Sequence, residues 1–205
     1  MASQSTSAAT GMLPIHERIT QLEYLFDTQM NNWLIRIGDV PHAEATDFDD
    51  SLWQQADIGF QWDTPYSLCW FRRRIEVPQQ LAGLPTTGQP LAIRIAIDNG
   101  GSIYVDGQLK HMKFDRSEGY AVLTESAKPG DRYLVAIRGI NRPGWGSLLD
   151  ARLETESAVK IRPAISALIE QLKFASTIQI SQSFVEQWTA ALTATLDAIN
   201  LNFLE

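Results

Sequence analysis

The chain has 205 residues, of which 44% are hydrophobic and 20% charged, and its formal net charge is −7 at pH 7. This composition excludes a globally disordered chain, and the length suits one well-buried domain with attached helices. The negative charge argues against nucleic acid as a partner, because phosphate binding requires a field of Lys and Arg side chains.

The first residues do not resemble a targeting signal. Residues 1–12, MASQSTSAATGM, lack the charged and apolar parts of a signal peptide, and no apolar run approaches the roughly 18 residues of a membrane span. The single cysteine, Cys69, lies between Leu68 and Trp70, which favours a buried thiol. We therefore expect a flexible leader over residues 1–12, no membrane partner and a cytoplasmic location.

A helical pattern follows the leader. Behind Pro14, apolar residues recur at steps of four, three and four, at Ile15, Ile19, Leu22 and Phe26. The pattern predicts an amphipathic helix within residues 13–32.

From residue 33 to about residue 160 the hydrophobic period changes to two. Leu91, Ile93, Ile95 and Ile97 alternate with other residues, and so do Cys69, Phe71, Ile75 and Val77. Turn sequences separate these runs, and Asp106-Gly107 predicts a tight hairpin. With no helical pattern between the runs, an antiparallel β-sandwich is expected. Arg72 and Arg74 should point away from its core, onto a solvated or ion-paired sheet surface.

The helical period returns over residues 161–205. Pro163 is expected to open a helix with Ile165, Leu168, Ile169 and Leu172 on one face. Ser183 and Glu186 form a candidate capping box before a second helix. The apolar face of that second helix should cover the sandwich, another copy of the chain or a further domain, and it supplies the interface candidates Trp188, Leu192, Leu196, Ile199 and Phe203.

Residues 47–62, DFDDSLWQQADIGFQW, contain a cluster of acidic residues. Asp47, Asp49 and Asp50 do not continue as a calcium loop, because Ser51, Leu52 and Trp53 follow. The pattern favours a structural role, in which the aspartates are turn and cap residues that deliver Trp53 and Trp62 into the core.

Catalytic and metal motifs are missing from the sequence. The histidines are His16, His42 and His111, and only His42 with Glu44 approaches a ligand pair. The chain contains no G-x-S-x-G elbow, P-loop or G-x-G-x-x-G. We therefore expect no catalytic residue, metal or cofactor in this chain.

One loop carries a candidate carbohydrate site. Trp145 lies between glycines, and its indole could stack on the C–H face of a sugar. Convergent polar groups would come from Asp98, Asn99, Asn141 and Arg142. The alternative, which the usual burial of indoles favours, is that Trp145 plugs the end of the sandwich or a seam with a neighbouring domain.

The order of several motifs resembles a known family. "FDDSLWQQADIGFQW", "SLCWFRRRIEVP" and "IAIDNGGSIYVDGQLK" look like the galactose-binding-like jelly roll on the N-terminal side of large glycoside hydrolases. The flanking "ERITQLEYL" and "NRPGWGSLLDARLE" are most similar to the α-mannosidases of glycoside hydrolase family 38. The resemblance implies a retaining mechanism that uses an aspartate nucleophile and a bound divalent metal, usually zinc. Both would lie in an α/β barrel that follows this region. No His-x-Asp pair or other matching position exists here, so neither the activity nor the zinc carries over.

The preferred function is therefore a non-catalytic, N-terminal accessory domain of an α-mannosidase-like hydrolase, whose partner is the catalytic domain of the same enzyme. Two alternatives remain open. One is a stand-alone lectin-like module that binds carbohydrate, and the other is a protein that dimerises with another copy through its C-terminal helix.

Overall fold

The computed structural model describes residues 15–113, 118–177 and 187. Contacts divide the chain into two compact units, one of residues 26–162 and one that combines residues 1–25 with residues 163–205. The leader, the capping box and the interface candidates of the second C-terminal helix lie outside the described residues.

The unit of residues 26–162 is mainly β. Its described strands are β1 (Trp33–Ile37), β2 (Gln54–Ala56), β3 (Gln61–Trp62), β4 (Leu68–Glu76), β5 (Gln80–Leu81), β6 (Leu84–Pro85), β7 (Leu91–Ile97), β8 (Gly101–Val105), β9 (Gln108–Lys113), β10 (Glu118–Thr124), β11 (Arg132–Ile140) and β12 (Gly146–Thr155).

These strands form an antiparallel sandwich, as the sequence predicts. The larger sheet has six strands in the order β2-β1-β4-β11-β8-β9, and the smaller has four in the order β10-β7-β12-β3. A two-stranded ribbon pairs β5 with β6. The pairings that join these strands are all antiparallel.

The core consists of the inward-facing residues that the alternation predicts. Every second residue of β7 from Leu91 to Ile97 is buried, and so are Cys69, Phe71 and Ile75 of β4. Trp62 enters this core and packs against Phe71, with ring centroids 5.7 Å apart. Burial raises the pKa of the Cys69 thiol to about 12, so the thiol stays protonated and unreactive.

The hairpin between β8 and β9 confirms the turn prediction. Asp106 and Gly107 have φ angles of 47° and 78°. Positive φ at both central residues is the geometry of a type I′ turn, which matches the twist of the flanking strands.

The outer face of the six-stranded sheet departs from the sequence expectation. Residues 39–53, here called the cover segment, lie over β4 and β11. Ala43 of this segment packs with Trp70 and Ala136, and Trp53 is half-buried beside them rather than in the main core. The expected delivery of Trp53 into the sandwich core is therefore wrong, whereas that of Trp62 is confirmed.

The same segment buries Arg72, which the sequence placed on a solvated or ion-paired surface. Arg72 does point away from the core, but it is 0% exposed. Its Nε donates to Asp50 Oδ2 at 2.8 Å, and its Nη1 donates to the carbonyls of Ala43 and Ala45. Arg74, largely exposed, pairs with the same carboxylate at 3.1 Å. The ion pair was expected, and the burial follows from the cover segment.

The second unit contains α1 (Ile15–Phe26) and the later part of α2 (Glu156–Thr177). Ile19 and Leu22 are buried in α1, and Ile165, Ile169 and Leu172 are buried in α2. Lys173 of α2 binds Glu23 of α1 through a 2.9 Å ion pair.

The position of Pro163 differs from the prediction. Pro163 does not open the helix but lies inside α2, which begins at Glu156. The start is fixed by Thr155, whose hydroxyl accepts a hydrogen bond from the backbone N–H of Ala158 at 3.2 Å. Thr155 is thus an N-cap placed directly at the end of β12. Among the described residues, no helix is long and apolar enough to cross a membrane.

Candidate functional site

Three loops meet at one end of the sandwich. They are residues 63–67 after β3, residues 98–100 after β7 and residues 141–145 after β11. The backbone N–H of Asp98 donates to the carbonyl of Ser147 at 2.9 Å, and that of Ile140 donates to Gly100 at 3.0 Å. These bonds tie the second loop to the strand residues on either side of the third loop.

Asn141 joins the first and third loops. Its backbone N–H donates to the carbonyl of Ser67 at 2.9 Å. Its side-chain Nδ2 lies within hydrogen-bond distance of the carbonyls of Trp62, Thr64 and Gly144, at 3.3, 3.0 and 3.2 Å. The Asn141 side chain is buried and its amide hydrogens are shared among these carbonyls, so it holds the first and third loops in position. A contact between Asn141 and a sugar stays a prediction.

Trp145 projects from the third loop into solvent and is 64% exposed. The preceding Gly144 has a φ of 123°, and a Cβ added to the following Gly146 would lie 2.4 Å from the ring of Trp62. Gly146 therefore faces the core, and alternation along the chain turns the Trp145 side chain outward. Trp62 fills the end of the sandwich instead, so within the described residues the interpretation of Trp145 as its plug is wrong.

The remaining predicted polar groups lie around this loop. Asn99, at a φ of 65°, donates from Nδ2 to Asn141 Oδ1 at 3.4 Å and to the carbonyl of Trp145 at 3.3 Å. Its backbone N–H donates to Asp98 Oδ1 at 3.1 Å. Asp98 and Asn99 are half-buried and Arg142 is exposed. The structure thus brings the predicted residues to one end of the sandwich.

The sequence reasoning missed Tyr66, which is 78% exposed on the first loop. Its φ of 57° lies in the left-handed region, which is uncommon for a bulky residue. The signal was the stretch Asp63-Thr64-Pro65-Tyr66-Ser67, in which a turn sequence carries an aromatic residue. Because Asn141 of the third loop is hydrogen-bonded to the first loop, the loops that carry Tyr66 and Trp145 form one connected framework. We call this framework, residues 63–67, 98–100 and 141–145, the loop surface.

The side chains of the loop surface are of the kind that binds a ligand. Two exposed aromatic rings with nearby amide, carboxylate and guanidinium groups suit the C–H faces and hydroxyls of a sugar. Within the ranges 15–113 and 118–177 and at residue 187, no group of three or more His, Cys, Asp and Glu side chains is arranged to hold a metal ion.

The acidic residues of the cover segment are structural. Asp49 accepts a hydrogen bond from the backbone N–H of Ser51 at 3.0 Å, and hydrogen bonds from Ser51 lower the pKa of Asp49 below its ordinary value. Asp49 is therefore a turn residue, as expected. Asp50 is instead the counter-ion of buried Arg72, which the turn-and-cap interpretation did not include.

The fold and this surface define a class: a jelly-roll sandwich with a loop end suited to binding. Residues 26–141, more than half of the chain, match the family described as "Alpha-mannosidase, jelly roll domain". The chain belongs to this family of jelly-roll domains. No curated protein matches the chain.

Solved structures show the same fold in glycoside hydrolases. A glycosyl hydrolase family 2 member from Bacteroides cellulosilyticus aligns with a TM-score of 0.50 and 19% identity, over 62% of this chain and 20% of that chain. A calcium-binding mutant of Bacteroides uniformis beta-glucuronidase 2 aligns with a TM-score of 0.51 and 18% identity, over 60% and 17%. The chain thus spans no more than a fifth of the length of these hydrolases, and at such identities the likeness concerns the fold alone.

Proposed function

We propose that the chain serves as the N-terminal accessory module of an α-mannosidase-like hydrolase. The observation that carries the proposal is the match of residues 26–141 to the alpha-mannosidase jelly-roll family. In this role the module packs on a catalytic domain of the same enzyme and contributes the loop surface to its substrate entrance. A metal such as zinc would belong to that catalytic domain.

One feature of the comparisons is consistent with such a role. The sandwich aligns with only a fifth or less of hydrolase chains, which leaves the chemistry to other domains. We also propose that residues 161–205 form the helical extension toward the catalytic domain. A cytoplasmic location is part of the proposal, since the single thiol, Cys69, is buried and free and requires no oxidising compartment.

The coding sequence downstream of Glu205 provides the first test. We expect it to continue into a barrel that contains a His-x-Asp motif. As a biochemical test, the purified chain should not hydrolyse an aryl α-mannoside with or without added zinc, whereas the chain joined to that barrel should. Hydrolysis by the isolated chain that survives repurification and disappears on unfolding would refute the accessory role.

A lectin-like function is the second candidate, and the exposure of Trp145 and Tyr66 favours it. If the chain binds glycans by itself, isothermal titration with methyl α-D-mannopyranoside should give a dissociation constant of roughly 1 mM or below, the weak end of specific binding. Trp145→Ala should abolish the binding, while Tyr24→Ala, which removes an exposed ring of α1, should not. Absence of binding, or equal binding by the Trp145→Ala variant, would exclude the loop surface as a lectin site.

A further inference from the structure

A groove of about 580 Å³ opens on the outer face of the four-stranded sheet. Its floor includes Arg94 of β7, Tyr120 of β10 and Glu154 of β12, and its wall includes Glu156 and Lys160 from the first turns of α2. The volume lies in the range of small-molecule sites, roughly 300–1,000 Å³. The loop surface contributes none of the lining residues.

Arg94 is the central residue of the groove. Its Nε donates to Glu154 Oε2 at 3.0 Å, and its Nη1 donates to Glu118 Oε2 at 2.7 Å. Partial burial lowers the pKa of Arg94, but the hydrogen bonds and charges of Glu118 and Glu154 outweigh this and raise its pKa above the ordinary value. Two carboxylates on two different strands thus fix the plane of the guanidinium.

Part of this guanidinium remains available. The Arg94 side chain is 33% exposed, and Nη2 has no hydrogen-bond partner within the described part of the chain. Its Cζ lies 5.8 Å from the centroid of the Tyr120 ring, and Tyr120 is 45% exposed. An immobilised guanidinium group with an available N–H donor therefore lies beside the exposed ring of Tyr120.

Glu154 makes the floor rigid. Its side chain is only 3% exposed, and its second oxygen, Oε1, accepts a hydrogen bond from Arg162 Nη1 at 2.8 Å. Moving the Glu154 carboxylate away from Arg94 or from Arg162 would break a largely buried ion pair, and breaking such a pair lowers the stability of the fold. The network of Arg94, Glu154 and Arg162 beneath the groove is thus preorganised.

The charges of the groove select the class of ligand. The carboxylates of Glu118, Glu154 and Glu156 are matched by Arg94, Arg162 and Lys160, so there is no excess positive charge to attract an anion. Paired charges present donors and acceptors side by side, which suits vicinal hydroxyl groups. The ring of Tyr120 adds a face for C–H stacking.

We propose that this groove binds a neutral carbohydrate of one to three sugar units, with a sugar face on Tyr120 and hydroxyls on Arg94. It is a second binding surface, separate in its residues from the loop surface. The inference goes beyond the accessory role and does not depend on it, because it concerns residues of the sandwich itself.

The test is a titration of the purified full chain with neutral disaccharides, namely maltose, lactose and α-1,2-mannobiose, followed by calorimetry and by NMR chemical shifts. We expect at least one of them to bind with a dissociation constant of roughly 1 mM and to shift the amides of β7, β10 and β12. Tyr120→Ala should weaken binding by about tenfold or more, an energy that an aromatic–sugar contact can supply. Tyr120→Phe, which keeps the ring, should bind within about twofold of the wild type.

Controls separate the groove from other surfaces. Tyr24→Ala should leave the affinity unchanged, and the circular dichroism of Tyr120→Ala should match the wild type. Sodium phosphate and glucuronate should bind more weakly than the neutral sugars. The proposal is overturned if none of the disaccharides binds at about 50 mM, far above the expected constant. It is equally overturned if Tyr120→Ala binds as well as the wild type, if Trp145→Ala alone abolishes binding, or if the anions bind more tightly.

Discussion

Removing the carboxylate of Asp50 should destabilise the sandwich more than removing that of its neighbours Asp47 and Asp49. Asp50 is the counter-ion of Arg72, whose side chain is fully buried, with 2.8 Å between Nε and Oδ2. Breaking a buried ion pair by removing one partner costs roughly 3 to 5 kcal/mol, because the other charge remains buried without compensation.

The surroundings of Arg72 place the expected loss at the lower end of this range. After Asp50→Ala the guanidinium still donates to the carbonyls of Ala43 and Ala45. It also keeps its position against aromatic rings, 5.3 Å from the centroid of Phe48 and 5.9 Å from that of Trp53. We expect the free energy of unfolding to fall by about 3 kcal/mol.

Urea unfolding followed by tryptophan fluorescence measures this loss. Asp49→Ala is the matched control, because Asp49 is exposed and accepts only a local bond from Ser51, so its loss should be much smaller. Arg74→Ala should cost less than about 1 kcal/mol, since Arg74 is largely exposed and surface ion pairs contribute little. The double variant Asp50→Ala/Arg72→Met should be more stable than Asp50→Ala, because it no longer buries an unpaired charge. If Asp50→Ala and Asp49→Ala lose the same stability, the buried-counter-ion reasoning is refuted.

Three further changes test the core and the loop end. Trp62→Ala should lower the free energy of unfolding by about 3 to 5 kcal/mol, as expected for emptying a buried indole site, whereas exposed Trp145→Ala should change it by less than about 0.5 kcal/mol in the same urea experiment. Gly146→Ala should cost about 1 to 3 kcal/mol in thermal unfolding, because its Cβ would lie 2.4 Å from the Trp62 ring, and an unchanged melting temperature would contradict that contact. Cys69 should not react with a thiol reagent at pH 8 until the chain is unfolded. Because folding raises the pKa of Cys69 from 9.0 to about 12, the native state keeps a proton that the unfolded state loses, so stability should fall as the pH rises from about 9 to about 12. Cys69→Ala should lose less stability over that range of pH.

The strands and turns were predictable because their causes are local. Burial of one sheet face requires alternation, and the run from Leu91 to Ile97 satisfies it without reference to any other segment. The Asp106-Gly107 turn likewise depends on the tolerance of two adjacent residues for positive φ. Such features can be inferred from a window of a few residues.

The burial of Arg72 could not be predicted in this way. Its orientation follows from alternation with Phe71, but its exposure depends on residues 22 positions away at Asp50 and 29 positions away at Ala43. The same limitation applies to Asn141. Its turn sequence identifies Asn141 as a loop residue. Its burial and its hydrogen bonds, however, depend on the loop of residues 63–67, which is distant in the sequence. Long-range contacts of this kind leave no periodic signal in the sequence.

The two outer faces of the sandwich explain why one arginine is structural and another is placed to bind. On the six-stranded sheet, the cover segment excludes water from Arg72, so all that its charge does is hold Asp50 and the carbonyls of that segment. On the four-stranded sheet, Arg94 is fixed by carboxylates of the neighbouring strands themselves, Glu118 on β10 and Glu154 on β12. Because that fixation needs no covering segment, the exposed third of Arg94 stays available beside Tyr120. A ligand site requires an arginine that is both immobilised and accessible, and Arg94 in the groove meets both conditions, whereas the fully buried Arg72 meets only the first.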